Sequence, residues 1–252
     1  GALLHVLNHS LFKSLLFYSA GSVYQQTHTR DMDKLGGLSK YMPKTAFLFL
    51  IGAVAIAGLP PFNGFVSEFI IYSGLVNGFG TGDNGLTILL ILSFAGLSII
   101  GGLSLLTFAK TYGVIFTGTP RTSLDHKPHE VSNLMIVPQL AIIAAMLSVA
   151  FFPSFYVNTI NFIIKDFSNG LPINPAFSSD FSNTLKSIMV FSLAVFAVIL
   201  VVWGIRKIST KNKSILADET WGCGYTNPTP RIQYTGKSFS KQLGKIFNFF
   251  LI

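Results

Sequence analysis

Charge is scarce in this sequence: 11% of its 252 residues are Asp, Glu, Lys or Arg, and only ten are acidic. Soluble domains carry about 25%, and half of the residues here are hydrophobic, so a single water-soluble core is excluded. There is one cysteine, Cys223. It excludes an internal disulfide, and alone it holds neither an iron–sulfur cluster nor a closed zinc site. Any redox chemistry belongs to another chain, and no cofactor or metal is expected. The first residues lack an initiator Met, a basic leader and a small-residue cleavage site, so the expectation is a fragment that opens within a membrane helix. Phosphate loop, catalytic triad and zinc motif are missing, and no basic surface interleaved with aromatics suits a nucleic acid.

What is present is a set of apolar blocks about as long as a bilayer is thick, which takes about 20 helical residues. Five spans are expected, at residues 3–24, 45–76, 86–117, 135–152 and 187–205. The fold class is all-α, a polytopic transmembrane helix bundle. Residues 153–186 read as an interfacial helix followed by a loop rich in Gly, Pro, Asn and Ser. The net charge of +8 is unevenly spread. If the spans alternate, links 25–44 and 118–134 and the tail from Arg206 share one side with fourteen bases, against Lys165 and Lys186 on the other. Basic residues gather in cytoplasmic loops, which places the tail in the cytoplasm.

The second span is too long. Its 32 residues would make about 48 Å of helix against a hydrocarbon core of about 30 Å. Gly58-Leu59-Pro60-Pro61-Phe62-Asn63-Gly64 supplies a break, because Pro60 and Pro61 remove two backbone donors and push the preceding residues out of helical geometry. Non-helical backbone at membrane depth is tolerated where protein buries it or water lines it, as at transporter sites. A proline kink in a packed helix is the structural alternative.

Of the ten acids only Glu68 lies inside a span, about two turns beyond the break. A short carboxylate there cannot reach the interface, so it should face a bundle interior or a wet cavity. Burial and a neighbouring cation act on its proton affinity in opposite senses, which is the tunability a proton carrier needs; a protonated acid cross-linking two helices is the alternative. His5, His9 and Lys13 fall at i, i+4 and i+8, a stripe about 12 Å long extended by Asn8. It reads as a proton or water path, with helix–helix hydrogen bonding as the alternative. Lys110 is nearer a span end, where a lysine can snorkel. The stretch Asp125-His126-Lys127-Pro128-His129-Glu130 has metal-ligand types without a helix to fix them, and reads as a solvated loop. In the tail, Arg206, Lys207, Lys211 and Lys213 form a basic cluster beside the last span, suited to anionic lipid. Trp221, Tyr225 and Tyr234 alternate with Gly and Pro, a pattern of fixed turns and interface residues with Arg231 as a polar anchor.

His5-Val6-Leu7-Asn8-His9-Ser10-Leu11-Phe12-Lys13, followed by Ala20-Gly21-Ser22-Val23, Gly36-Gly37-Leu38, Met42-Pro43 and Ala57-Gly58-Leu59-Pro60-Pro61-Phe62-Asn63-Gly64-Phe65-Val66-Ser67-Glu68, resembles the antiporter-like membrane subunits of respiratory complex I and membrane-bound hydrogenases. Phe108-Ala109-Lys110-Thr111-Tyr112-Gly113, Trp221-Gly222-Cys223-Gly224-Tyr225 and Pro230-Arg231-Ile232-Gln233-Tyr234-Thr235 are similar to the hydrogenase-4 component B and formate hydrogenlyase type. The resemblance implies two inverted five-helix repeats joined by an axis of lysines, histidines and glutamates, of which this chain holds the exit-side portion. It implies three regions: 1–118, the later part of a proton-translocating repeat; 119–205, additional spans with an interfacial segment; and 206–252, a basic tail. The implied proton-path residues are His5, His9, Lys13, Glu68 and Lys110. The implied partners are other membrane subunits and peripheral hydrogenase or dehydrogenase subunits, in a cell inner membrane. The chain itself would be a non-catalytic, ion-translocating piece that does not move protons alone. One component of a multisubunit sodium/proton antiporter and a scaffold anchoring a peripheral enzyme are the alternatives.

Overall fold

The computed structural model describes residues 1–80, 82–124, 126–167, 175–211, 229 and 232–247; Trp221, Tyr225 and Arg231 lie outside them. Among the described residues there are helices and no strands: α1 (Ala2–Thr27), α2 (Pro43–Ile56), α3 (Asn63–Asn77), α4 (Asn84–Phe116), α5 (Asn133–Phe151), α6 (Pro153–Phe167), α7 (Pro175–Thr210) and α8 (Gly236–Phe247). Their ends follow local chemistry. Asp83 starts α4 by accepting from the backbone N–H groups of Gly85 and Leu86 at 2.8 and 3.2 Å, which fills two donors that no helical carbonyl can reach. α1 stops where His28 turns left-handed, at φ 50°, and its N–H bonds back to the carbonyl of Tyr24.

Helices α4 and α5 and the Phe181–Thr210 part of α7 are each long and apolar enough to cross a membrane. α1 has the length, 26 residues, with a more polar face. The expected second span is two elements, α2 and α3, of 14 and 15 residues, each too short to cross alone. The loop expected to last until Lys186 is shorter, since α7 begins at Pro175. A proline at the first helical position forfeits no helical hydrogen bond, so it opens a helix as readily as it ends one.

α1 is central, packing against α2, α3, α5 and α6. Three buried apolar clusters run along the bundle. One joins Leu4, Val66, Ile70, Val149 and Ile188, the second Phe12, Leu15, Leu48, Ile143 and Met146, and the third Leu16, Val23, Leu38, Phe49 and Phe116. Lipid is as apolar as leucine, so close packing rather than water exclusion drives such contacts in a membrane. Gly52 shows this, because a Cβ there would lie 3.0 Å from Leu16 Cγ. The long apolar side chains of α4 and α7 instead stay open, with Leu89, Ile100 and Val202 among them.

Links 25–44 and 118–134 and residues 232–236 meet at one end of the bundle. The Arg121 guanidinium donates to the carbonyls of Leu35, Val114 (2.7 Å) and Tyr234 (2.9 Å). Gln233 Oε1 accepts from the Thr119 N–H at 3.0 Å, and Asp33 Oδ1 accepts from the Gly236 N–H at 2.6 Å.

Candidate functional site

The break between α2 and α3 creates the site. A helix continuing past Ile56 would bond that residue's carbonyl to the N–H of residue 60, and Pro60 has none. Ser104 of α4 takes the place of the missing donor, with its Oγ 3.2 Å from the Ile56 carbonyl. Such re-satisfaction by a neighbouring hydroxyl is what lets a broken helix persist in a membrane. The helix breaks at Gly58, whose φ of 67° favours a residue without Cβ, and the chain passes through a cis Pro60-Pro61 bond before α3 continues along α1 toward its N-terminus.

The first turns of α3 then meet α1 through buried polar side chains. Asn8 Nδ2 donates to the Asn63 carbonyl at 2.7 Å and to Ser67 Oγ at 3.0 Å, while Asn63 Nδ2 donates to Asn8 Oδ1 at 3.0 Å. Asn8, Asn63 and Ser67 are fully buried. Asn63 Oδ1 is buried without a partner among the described residues. Ser67 Oγ lies 3.1 Å from the Gly64 carbonyl and 3.0 Å from His5 Nδ1. A hydroxyl has one proton and these are two potential acceptors, so the Ser67 rotor and the His5 tautomer are coupled. When Ser67 donates to Gly64, His5 Nδ1 must carry its proton; when Ser67 donates to His5, the proton sits on Nε2.

The stripe on α1 is thus only partly drawn into the bundle. His5 is half-buried and joined to α3, whereas His9 is exposed, its ring 6.3 Å from that of His5 and edge-on to Phe12 at 5.3 Å. Lys13 is half-buried with Nζ 5.5 Å from the centre of the Phe17 ring. Glu68 follows Ser67 by one residue, about 100° around the helix, so it leaves the α1 side. Its half-buried carboxylate rests on Gly58 so closely that a Cβ there would collide with Oε2, and it makes no hydrogen bond or ion pair among the described residues. Lys110 is half-buried on α4. The Tyr234 ring is exposed, and its carbonyl accepts from Arg121.

Other buried or bound polar side chains escape the sequence reading. Asn63 and Ser67 lie in the motif around the break, and their only signal is polarity next to the double proline. Gln139 is fully buried on α5; its Oε1 accepts from Ser19 Oγ at 2.7 Å, and its Nε2 lies 3.4 Å from Ser22 Oγ. This second polar cluster is separated from the first by Phe12, Leu15 and Leu16 on α1. Glu130 is bound rather than solvated. Its carboxylate accepts from the N–H groups of Lys44 (2.7 Å) and Thr45 (3.3 Å) and from Thr45 Oγ1 (2.6 Å). It therefore caps α2 from 86 positions away, where Met42 offers no side-chain cap. Among the described residues no group of three His, Cys, Asp or Glu side chains could hold a metal.

Residues 1–101 match the family described as NADH:quinone oxidoreductase/Mrp antiporter, transmembrane. Hydrogenase-4 component B of Escherichia coli K12 is 32% identical over 234 residues, 89% of this chain and 34% of that protein. Formate hydrogenlyase subunit 3 of the same organism is 44% identical over 140 residues, 56% of this chain and 22% of that protein. An Na(+)/H(+) antiporter subunit of Alkalihalophilus pseudofirmus is 35% identical over 165 residues, 63% of this chain and 20% of that protein. The chain thus spans about a third or less of the length of each of these relatives.

Proposed function

Residues 1–101 belong to the NADH:quinone oxidoreductase/Mrp antiporter membrane family, and from that premise we propose that the chain is a proton-translocating part of a membrane subunit in a redox-driven complex of the hydrogenase-4 or formate hydrogenlyase type. The observation that carries this reading is the construction around the helix break. A half-buried carboxylate, Glu68, rests on the left-handed Gly58, and the residue before it, Ser67, is hydrogen-bonded to His5 across the α1–α3 junction. A carboxyl group within a span is costly unless it serves a path or a partner. The orientation of the Ser67 hydroxyl, toward the Gly64 carbonyl or toward the imidazole, sets which ring nitrogen of His5 is free to take up a proton. His5, His9, Lys13, Glu68 and Lys110 are the proton-path residues on this reading. The chain works beside other membrane subunits and a peripheral hydrogenase or dehydrogenase, in an inner membrane with its tail in the cytoplasm.

The test is Glu68→Gln in the intact complex. Assembly and electron transfer stay largely in place while proton translocation falls; an unchanged proton-to-electron stoichiometry rejects the proposal. A second reading, one component of a sodium/proton antiporter, is favoured by the 35% identity to the Alkalihalophilus protein. That similarity covers 63% of the chain, against 89% for hydrogenase-4 component B. Sodium-dependent ion movement in the assembled complex would select it.

A further inference from the structure

The helix α8 has no role in the proton reading, and its sequence and position point elsewhere. At 100° per residue, Lys237, Lys241 and Lys245 share an arc of about 80°, and all three are exposed. The sequence spaces Phe239, Leu243, Ile246 and Phe247 on the opposite arc, and residues 232–247 include no acid. With 12 residues α8 is about 18 Å long, far short of a membrane crossing.

Its start is fixed beside the C-terminal end of α4, a helix long and apolar enough to cross a membrane. α4 ends at Phe116, and three residues on, the Thr119 N–H bonds to Gln233 Oε1 at 3.0 Å. Gly236 N donates to Asp33 Oδ1 at 2.6 Å, beside the short turn Met32–Lys34. The Ser238 N–H lies 3.3 Å from Thr235 Oγ1 and the Thr235 N–H 3.3 Å from Ser238 Oγ, a reciprocal cap that sets the first turn. Ile232 and Tyr234, just before it, are exposed, and tyrosine is enriched at membrane–water interfaces.

We propose that α8 is an interfacial helix that lies on the membrane surface at the end of α4, its apolar arc among the acyl chains and Lys237, Lys241 and Lys245 on anionic lipid headgroups. The charge pattern selects this occupant: three cations and no acid complement a negative surface, as in basic amphipathic helices that lie on anionic membranes. The tether at residues 233–236 removes most of the search, so the helix binds its own membrane without a second anchor.

The test uses the full chain in vesicles with Cys223→Ser and one spin-labelled cysteine at a time, Leu243→Cys or Gly244→Cys, adjacent positions on opposite sides of the arc boundary. Nothing lies within 4 Å of a Cβ at Gly244. The expected result is that the label at 243 collides mainly with lipid-dissolved oxygen and the label at 244 mainly with a water-soluble nickel chelate. Replacing phosphatidylcholine by phosphatidylglycerol should raise the ratio of interface-bound to released helix roughly a hundredfold for three lysines. The charge-reversed variant K237E/K241E/K245E should lose that dependence, and high salt should weaken it in the unreversed chain. Shielding of the 243 label from both reagents, as a covering protein would give, overturns the proposal. Equal water exposure of both labels, or no difference between the two lipids, overturns it too.

Discussion

Replacing Asn8 by leucine would leave Asn63 Nδ2 without its acceptor and Ser67 with His5 as its remaining α1 partner, in a place no water reaches from outside, since Asn8, Asn63 and Ser67 are fully buried. Hydrogen bonds between membrane helices are worth about 0.6 kcal/mol on average and up to about 1.7, so Asn8→Leu should cost about 1–3 kcal/mol. Unfolding by denaturing detergent would show it, with Ser10→Ala as the control, because Ser10 is exposed and bonds only to Leu7 of its own helix. Lys13 makes a different kind of prediction. Its Nζ stands over Phe17, a contact a neutral side chain cannot reproduce electrostatically. Lys13→Met should therefore lower proton translocation in the complex more than Lys13→Arg does; equal loss in both would mean that charge is not what matters there.

Among the helices, α2, the first half of the broken element, is held at its two ends by unlike devices. The N-terminus of α2 is capped by Glu130 from the α4–α5 link, and losing an N-cap costs about 0.5–2 kcal/mol. Glu130→Ala should lower thermal stability by that amount, and Glu130→Gln by less, because an amide oxygen still accepts one of the bonds. The C-terminal end of α2 depends on Gly58. Gly58→Ala adds a left-handed penalty of about 1–2 kcal/mol and a collision with the Glu68 carboxylate. Gly21→Ala in α1 meets nothing within 4 Å and should be neutral or stabilising by up to about 1 kcal/mol. A thermal-shift comparison of the two would separate a glycine required by geometry from one that is merely tolerated.

For the molecule as a unit, the tail is expected to hold the peripheral partners. Deleting residues 220–252 should reduce their co-purification while the spans still insert, and full retention would remove that role. Features that operate within one segment are legible from the residues alone. The scarcity of charge and the length of the apolar blocks point to a helical membrane protein, and the double proline to the broken element, because two successive prolines remove two donors and push the preceding residues out of helical geometry, whereas the lone Pro138 stays within α5. Periodicity also puts His5, His9 and Lys13 on one line, but it cannot say which line of α1 faces inward, since apolar residues surround that helix on most sides. Packing turned the neighbouring line, Leu4, Asn8, Phe12, Leu15 and Ser19, into the bundle, which drew in His5 and left His9 at the surface. The cap from Glu130 and the pairing of Asn8 with Asn63, 55 positions apart, were invisible for the same reason. A hydrogen bond between distant residues exists only once the rotation and depth of two helices are set, and these depend on how all the side chains between them fit.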